Sequence, residues 1–290
     1  MTAAPETHPG YWEWAVCGAS VTGELHRERG QGCDDAYCYG VAGDFVVAAV
    51  ADGAGSVSGT SAWGSYTACQ SVLRNALRGQ FRRDFAADSS GHTAQMRWLF
   101  EQALQHVCAR ARTMKLDLPL LSTTLSVVVA NRQHAVCGQI GDGVIAVETD
   151  RGISTRLIES KDQYANCTWF LQSENAFGAS FRTETLRGVT AFALSTDGMS
   201  YKITDIATGS AYEPFFRGSW QQVRAGTSSA HFAALLRGIA DDQTGDDKTM
   251  VLSALRWVTD DFYPSSRPTR TTTVASRRPE RIGASRPERR

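Results

Sequence analysis

The sequence predicts an α+β domain of mainly antiparallel sheet with helices packed outside it. Three observations carry that expectation. Short apolar runs recur, such as FVVAAVA at 45–51 and the successive runs at 125–130, 135–140 and 144–148, with connections short enough for hairpins. Two stretches with apolar residues near a 3.6 period stand between the early strands and that strand cluster. The order strand, helix pair, adjacent strands, helix, strand lacks the regular alternation of a doubly wound parallel sheet.

The elements follow in chain order. Residues 11–23, YWEWAVCGASVTG, are aromatic and partly alternating, which suits a strand. ELHRERGQGCDDAYCYG reads as a polar loop. Phe45–Ala51 is a buried strand ending in the turn Asp52-Gly53, and GAGSVSG at 53–59 is a flexible loop. SAWGSYTACQSVLRNALRGQF, from Ser61, is a helix carrying Trp63, Tyr66, Cys69, Val72, Leu73 and Leu77 on its apolar face. Thr93–Met114 is a second helix, with Trp98, Leu99, Ala103, Leu104, Val107 and Ala111 inward. Thr190–Leu194 is a strand, Ser228–Ile239 a helix and Thr249–Leu255 a closing strand. The stretches 156–188 and 199–226 are irregular. Their aromatics Trp169, Phe170, Phe215, Phe216 and Trp220 suit a flap or partner surface, or, more simply, satellite core packing. No linker precedes residue 260, so one domain at 1–260 and a tail at 261–290 are expected.

The formal net charge is zero, with 30 Lys and Arg against 30 Asp and Glu. That zero divides. Arg267 to Arg290 holds 8 Arg and 2 Glu, a net of +6, which leaves 22 basic and 28 acidic residues, a net of −6, in the first 266. The tail, SRPTRTTTVASRRPERIGASRPERR, has little apolar content and repeated Pro, so disorder is its expected state. It lacks the zinc-finger, KH or RNA-binding-strand features of a specific nucleic-acid module. The first residues have neither a basic nor an apolar signal-peptide region, and no apolar run approaches the ~20 residues of a membrane span. The 7 Cys are odd in number and scattered, which favours reduced thiols in a cytoplasm over disulfides or a zinc cluster.

Acidic residues recur beside glycine at the ends of apolar runs: Asp34-Asp35 in GCDDA, Asp52 in ADGAG, Asp142 in GDG, Asp197 in TDG, and Asp246-Asp247 in GDDKT. Asp-Gly is a common turn dipeptide, so each one alone reads as a turn. Together they suit a crevice of strand-end carboxylates. Such groups repel one another unless cations neutralise them, and oxygen-only ligation favours Mg²⁺ or Mn²⁺ over zinc. Gly53-x-Gly55 has the wrong spacing to Gly59 for a dinucleotide loop.

The ordered set CDDA (33–36), VAAVADGAGSVSG (47–59), STT (122–124), CGQIGDGVIAV (137–147), FALSTDG (192–198) and DDKTMVLSAL (246–255) resembles the metal-dependent protein serine/threonine phosphatases of the PP2C (PPM) family, in a divergent bacterial form. The resemblance implies a four-layer α-β-β-α sandwich of two packed antiparallel sheets with helices outside. It implies metal-dependent hydrolysis of phosphoserine and phosphothreonine in proteins through a metal-activated water. Two Mn²⁺ or Mg²⁺ ions are implied, with a third, weaker site. Asp52 matches the bridging carboxylate and Gly53 the residue that offers its backbone carbonyl. Asp197 and Asp246 match the other principal ligands, and Asp142 the further metal site. Asp34 stands where the family has Glu or Gln. Asp35 matches the regular partner near metal-bound water. Thr123 and Thr124 belong to a segment with a structural role. A phosphoprotein substrate and a cognate Ser/Thr kinase are the implied partners.

The chain departs from the family pattern in several places. Asp247 stands where the family often has Asn, Gly143 follows Asp142 where Ser is usual, and Ala54 replaces the His of better-known eukaryotic members. Arg29, with Arg27 second, is the candidate phosphate-contacting arginine, and the nearby loop histidine His26 is a lesser candidate for the general acid. A non-catalytic module of the same fold and a small-molecule phosphoesterase stand as alternatives. Thiolate catalysis has no support, because the residue six after Cys33 is Tyr39 and six after Cys69 is Asn75, not Arg.

Overall fold

The structure, a computed structural model, describes residues 10–54, 59–87, 89–158, 168–240, 244–259 and 273–276. Its strands are β1 (Gly10–Val21), β2 (Ala36–Ala42), β3 (Phe45–Ala51), β4 (Leu125–Ala130), β5 (His134–Ile140), β6 (Val144–Thr149), β7 (Gly152–Arg156), β8 (Arg182–Arg187), β9 (Ala191–Ser195), β10 (Lys248–Thr259) and β11 (Thr273–Ser276). Its helices are α1 (Glu24–Glu28), α2 (Ser61–Ala76), α3 (Gly79–Ala87), α4 (His92–Met114), α5 (Ala176–Ala179), α6 (Ser200–Ile203), α7 (Glu213–Arg224) and α8 (Ser229–Gly238).

β3 shows why the chain folds in layers. Successive side chains of a strand point to opposite faces. Phe45, Val47, Ala49 and Ala51 therefore enter one core, while Val46, Ala48 and Val50 enter another. A strand apolar at every position needs cover on both sides. On one side α2, α3 and α4 supply Cys69, Val72, Phe85, Leu99 and Phe100. On the other side lies a second sheet, which contributes Trp14, Ile145, Phe192, Leu194 and Val251 to the shared core. The outer face of that second sheet packs on Phe216, Trp220, Phe232 and Leu236 of α7 and α8. The layers run helices, sheet, sheet, helices, and every described strand pair is antiparallel. One sheet has five strands in the order β1-β10-β9-β6-β7, and the other six in the order β11-β2-β3-β4-β5-β8. This is the expected four-layer sandwich.

Several local expectations change. The polar stretch after residue 23 contains α1 and β2. β2 alternates less cleanly in sequence than β3, yet it pairs with β3 along its whole length. The helix from Ser61 divides into α2 and α3, with Leu77 and Arg78 at the break. The three-residue GDG link between β5 and β6 is hairpin-sized, but its two strands belong to different sheets. Gly141 turns the chain with φ +104°, a conformation that L side chains avoid. Residues 182–187 and 213–224, expected within irregular stretches, are β8 and α7. Phe216 and Trp220 are fully buried core residues, and the Trp220 Nε1–H donates to the Phe192 carbonyl at 3.0 Å.

The tail expectation changes at four residues. Thr273–Ser276 pairs antiparallel with Cys38–Val41 as the edge strand β11. TTTVAS is the one uncharged, β-branched segment of the tail, and β2 would otherwise present unpaired backbone groups at the sheet edge. The rest of the tail, most of the GAGSVSG loop and Cys167 lie outside the described residues. The other six cysteines are free thiols. Burial pushes Cys17 and Cys137 up to about 12, so both are inert neutral packing groups. Among the described residues no helix is long and apolar enough to cross a membrane.

Candidate metal centre

Antiparallel register gathers the acidic turns. Ala36 at the start of β2 pairs with Ala51 at the end of β3, and Ser195 at the end of β9 pairs with both Val144 and Met250. The segments carrying Asp34-Asp35, Asp52, Asp142, Asp197 and Asp246-Asp247 therefore emerge at one end of the sandwich. Asp52 follows β3 and Asp197 follows β9, so the two sheets each contribute to the cluster.

The backbone around Asp52 is clamped by the STT segment. The Asp52 carbonyl accepts from Thr123 Oγ1 at 2.9 Å and from the Thr124 amide at 2.8 Å. The Asp52 amide donates to Thr124 Oγ1 at 3.0 Å. Both threonines thus serve the backbone, in the structural role expected of them. Gly53 is held so closely that a Cβ would lie 2.6 Å from the Asp34 carbonyl oxygen. Gly198 is tighter still, since a Cβ there would lie 2.0 Å from the Asp247 carbonyl oxygen. Glycine at each position lets two acidic turns approach through their backbones.

Electrostatics mark the cluster. Burial, then the charges of Asp35, Asp197, Asp246 and Asp142, hold the Asp52 carboxyl well above the usual carboxylate range. Burial raises Asp197 to about 7, reinforced by Asp142 and Asp246 and eased by a hydrogen bond with Asp52. Asp35 is also driven well up, first by burial and then by Asp247, although Thr196 Oγ1 donates to its Oδ2 at 2.8 Å. The charged neighbours acting most strongly on Asp52 are all carboxylates. Such a set fits hard divalent cations, which take oxygen ligands and neutralise the repulsion. Among the described residues no three His, Cys, Asp or Glu side chains are already set to hold a metal ion. Asp52 and Asp197 instead share a hydrogen bond.

The remaining candidates take different positions. Asp142 sits on the turn between the sheets and accepts from Thr168 Oγ1 at 2.9 Å. Asp34 is buried, and its Oδ2 accepts from Ser61 Oγ at 2.6 Å, at the start of α2. Burial raises its pKa, while Ser61 and then His26 oppose the rise. Arg29 is exposed at the C-terminal end of α1, where its amide donates to the Leu25 carbonyl at 3.3 Å. His26 is not a free loop histidine. It is buried in α1 with Nδ1 3.0 Å from Asp247 Oδ2.

Asp247 emerges as an organiser that its sequence position did not disclose. Its Oδ1 accepts from the Gly23 amide at 2.7 Å and its Oδ2 from the Asp34 amide at 2.6 Å. It is 2% exposed, so this acidic substitution sits in a pocket of donors, not on the crevice. Thr196 was likewise not singled out. Its hydroxyl joins Asp35 to the Thr249 amide, 3.2 Å away. Its place immediately before Asp197 was the available signal.

Comparison with known proteins agrees with this architecture. Residues 22–237 match the family Protein phosphatase 2C, a span that stops short of Asp246. Serine/threonine-protein phosphatase 3 of Escherichia coli (strain K12) is 26% identical over 260 residues, covering 83% of this chain and 98% of the relative. Stp1, a serine/threonine phosphatase of Staphylococcus aureus, superposes with TM-score 0.55 at 14% identity, over 87% of this chain and 99% of that one. The catalytic domain of the serine/threonine phosphatase PstP, solved with 2 manganese ions, gives TM-score 0.52 at 14% identity, over 85% of this chain and 100% of that one. At these identities the structural likeness speaks for the fold. Taken with the family match over most of its length, that likeness places the chain in the protein phosphatase 2C family of protein serine/threonine phosphatases.

Proposed function

We propose that the chain hydrolyses phosphoserine and phosphothreonine esters in proteins, using two Mn²⁺ or Mg²⁺ ions and, at Asp142, a third and weaker one. The observation that carries this reading is the convergence of Asp35, Asp52, Asp142, Asp197 and Asp246, where burial and the neighbouring carboxylates raise the proton affinity of Asp35, Asp52 and Asp197. Bound divalent ions supply a lowered pKa for an attacking water and positive charge for the phosphoryl oxygens. Asp52, the Gly53 carbonyl, Asp197 and Asp246 are the principal donors, with Asp34 and Asp142 at the margins.

The chain's own residues do the rest. Asp35, oriented by Thr196, accepts a hydrogen bond from the attacking water. Arg29 offers two N–H donors to the phosphoryl oxygens, which a planar guanidinium does well. Ala54 gives no acid to the departing seryl or threonyl oxygen, so that proton comes from another acid or from solvent. A protein Ser/Thr kinase is the class of enzyme that must supply such a substrate.

The test is Mn²⁺-dependent release of phosphate from phosphoserine and phosphothreonine peptides by the purified protein, with Asp52→Asn and Asp197→Asn as controls. Turnover lost in both variants is the expected result. No turnover by the wild type across Mn²⁺ and Mg²⁺ concentrations sinks the activity, and full turnover in both variants sinks the site.

A further inference from the structure

A pocket of about 140 Å³ opens beside Asp246, between α1 and the end of α8. Its wall includes Thr22, Glu24, Arg27, Arg237, Asp246 and Lys248, three cations against two carboxylates. The backbone builds it firmly. The Leu25 amide donates to the Gly245 carbonyl at 3.0 Å, and a Cβ on Gly23 would lie 2.4 Å from the Asp246 carbonyl oxygen. The Lys248 ammonium is already engaged, donating to the Ile239 carbonyl at 2.5 Å. Arg27 and Arg237 differ from it. Each is exposed, and among the described residues no hydrogen bond or ion pair holds either guanidinium. Arg156, Arg217 and Arg256, by contrast, each lie against a glutamate.

Two unengaged arginines from different helices thus flank one small pocket at the rim of the acidic cluster. A planar guanidinium binds a carboxylate or phosphoryl group through paired N–H donors. A phosphorylated residue entering the cluster brings its sequence neighbours to this rim. We propose that the pocket is a subsite for an acidic side chain, a carboxylate or a second phosphoryl group, flanking the phosphorylated residue of the substrate, held by Arg27 and Arg237. The inference rests on the phosphatase reading, because it takes the side of Asp246 as the substrate's point of entry. Arg237 is then a specificity determinant that touches the flanking residue and not the reacting phosphate.

The experiment uses phosphoserine peptides with Ala, Asp or a second phosphoserine at neighbouring positions, and matched peptides bearing a non-hydrolysable phosphonate. Binding of the phosphonates is followed by fluorescence anisotropy with Mn²⁺ present. Turnover of the phosphates and of p-nitrophenyl phosphate is followed separately. The wild type is expected to bind acidic-flanked phosphonates about tenfold more tightly than the Ala-flanked one. Arg237→Glu should abolish that ratio, leaving Ala-flanked binding and p-nitrophenyl phosphate turnover unchanged. The Asp and second-phosphoserine arms separate the two acidic sources. A wild-type ratio near one, or a ratio that survives Arg237→Glu, overturns the subsite. Binding that follows the expected pattern without turnover of any substrate overturns only the catalytic reading.

Discussion

Asp197→Asn tests the electrostatics of the cluster on the metal-free protein. Asp197 titrates near 7 against an ordinary 3.8, so its ionisation in the folded state is disfavoured by about 4 kcal/mol at 1.36 kcal/mol per pKa unit. A folded-state pKa raised above the unfolded one adds stability that is complete below pH 4. That stability is lost as the pH rises through 7. The metal-free wild type should therefore melt at lower temperature at pH 8 than at pH 5. Asn cannot ionise. Because Asp197 shares its hydrogen bond with Asp52, about half of the penalty, ~2 kcal/mol, should be relieved by the substitution. For a domain of this size that raises Tm at pH 8 in EDTA by about 4–8 °C. At pH 5, between the ordinary and the raised values, the gain should fall to less than half of that. Added Mn²⁺ should reverse the order, since an ion at 100 times its Kd stabilises the wild type by about 2.7 kcal/mol and the variant less. Thermal melts by circular dichroism, with EDTA and with MnCl₂ at both pH values, read all four conditions. A variant that melts no higher than the wild type at pH 8 without metal refutes the repulsion. An unchanged Mn²⁺ increment refutes the role of Asp197 in holding the ion.

Three further predictions concern the supports. Asp247→Ala strips the acceptor from two backbone amides and leaves His26 facing a void, so urea denaturation should show a loss of about 3 kcal/mol. Gly198→Ala places a Cβ 2.0 Å from the Asp247 carbonyl, and the forced backbone shift should lower stability by about 2 kcal/mol and weaken Mn²⁺ binding in calorimetry. Truncation after Ser276 should leave peptide dephosphorylation intact, whereas truncation after Thr259 removes β11 and bares β2, so light scattering should report aggregation on warming.

Much of the sandwich was legible because its strands are short, apolar and bounded by turns. The uniform run at 45–51 declared cover on both faces before any partner was known. β2 was less legible because Tyr37, Cys38 and Tyr39 sit among polar neighbours and take their strand form from pairing with β3. Local pattern also failed at Gly141-Asp142-Gly143. Loop length alone does not distinguish a hairpin from a step between sheets, since that choice depends on which strands already occupy the neighbouring edges. In the site, the strand-end aspartates were visible as Asp-Gly turns. Asp247 was not, because a carboxylate that accepts backbone amides looks in sequence like any other acid. Its role depends on Gly23 and Asp34, more than 200 positions away.

The division of the carboxylates between two sheets has a dynamic consequence. Asp35 and Asp52 extend from the six-stranded sheet, and Asp197 and Asp246 from the five-stranded one. Without cations their repulsion acts across the sheet interface at one end only. At the opposite end the Trp14 Nε1–H of β1 ties the two sheets by donating to the Asp44 carbonyl at 3.1 Å, while the Trp12–Trp257 ring contact and the Glu13–Arg256 ion pair join β1 to β10 within one sheet. Ion binding should therefore close the acidic end while leaving the far end as it was. Hydrogen exchange should show Mn²⁺ slowing the amides of Gly23, Asp34, Thr124, Thr196 and Thr249, each of which donates within this end of the fold. Amides in the segments 11–16 and 253–258 should be unaffected. A slowing spread evenly along β1 and β10 would mean that the ion stabilises the domain as a whole, and the account of a locally strained acidic end would be wrong.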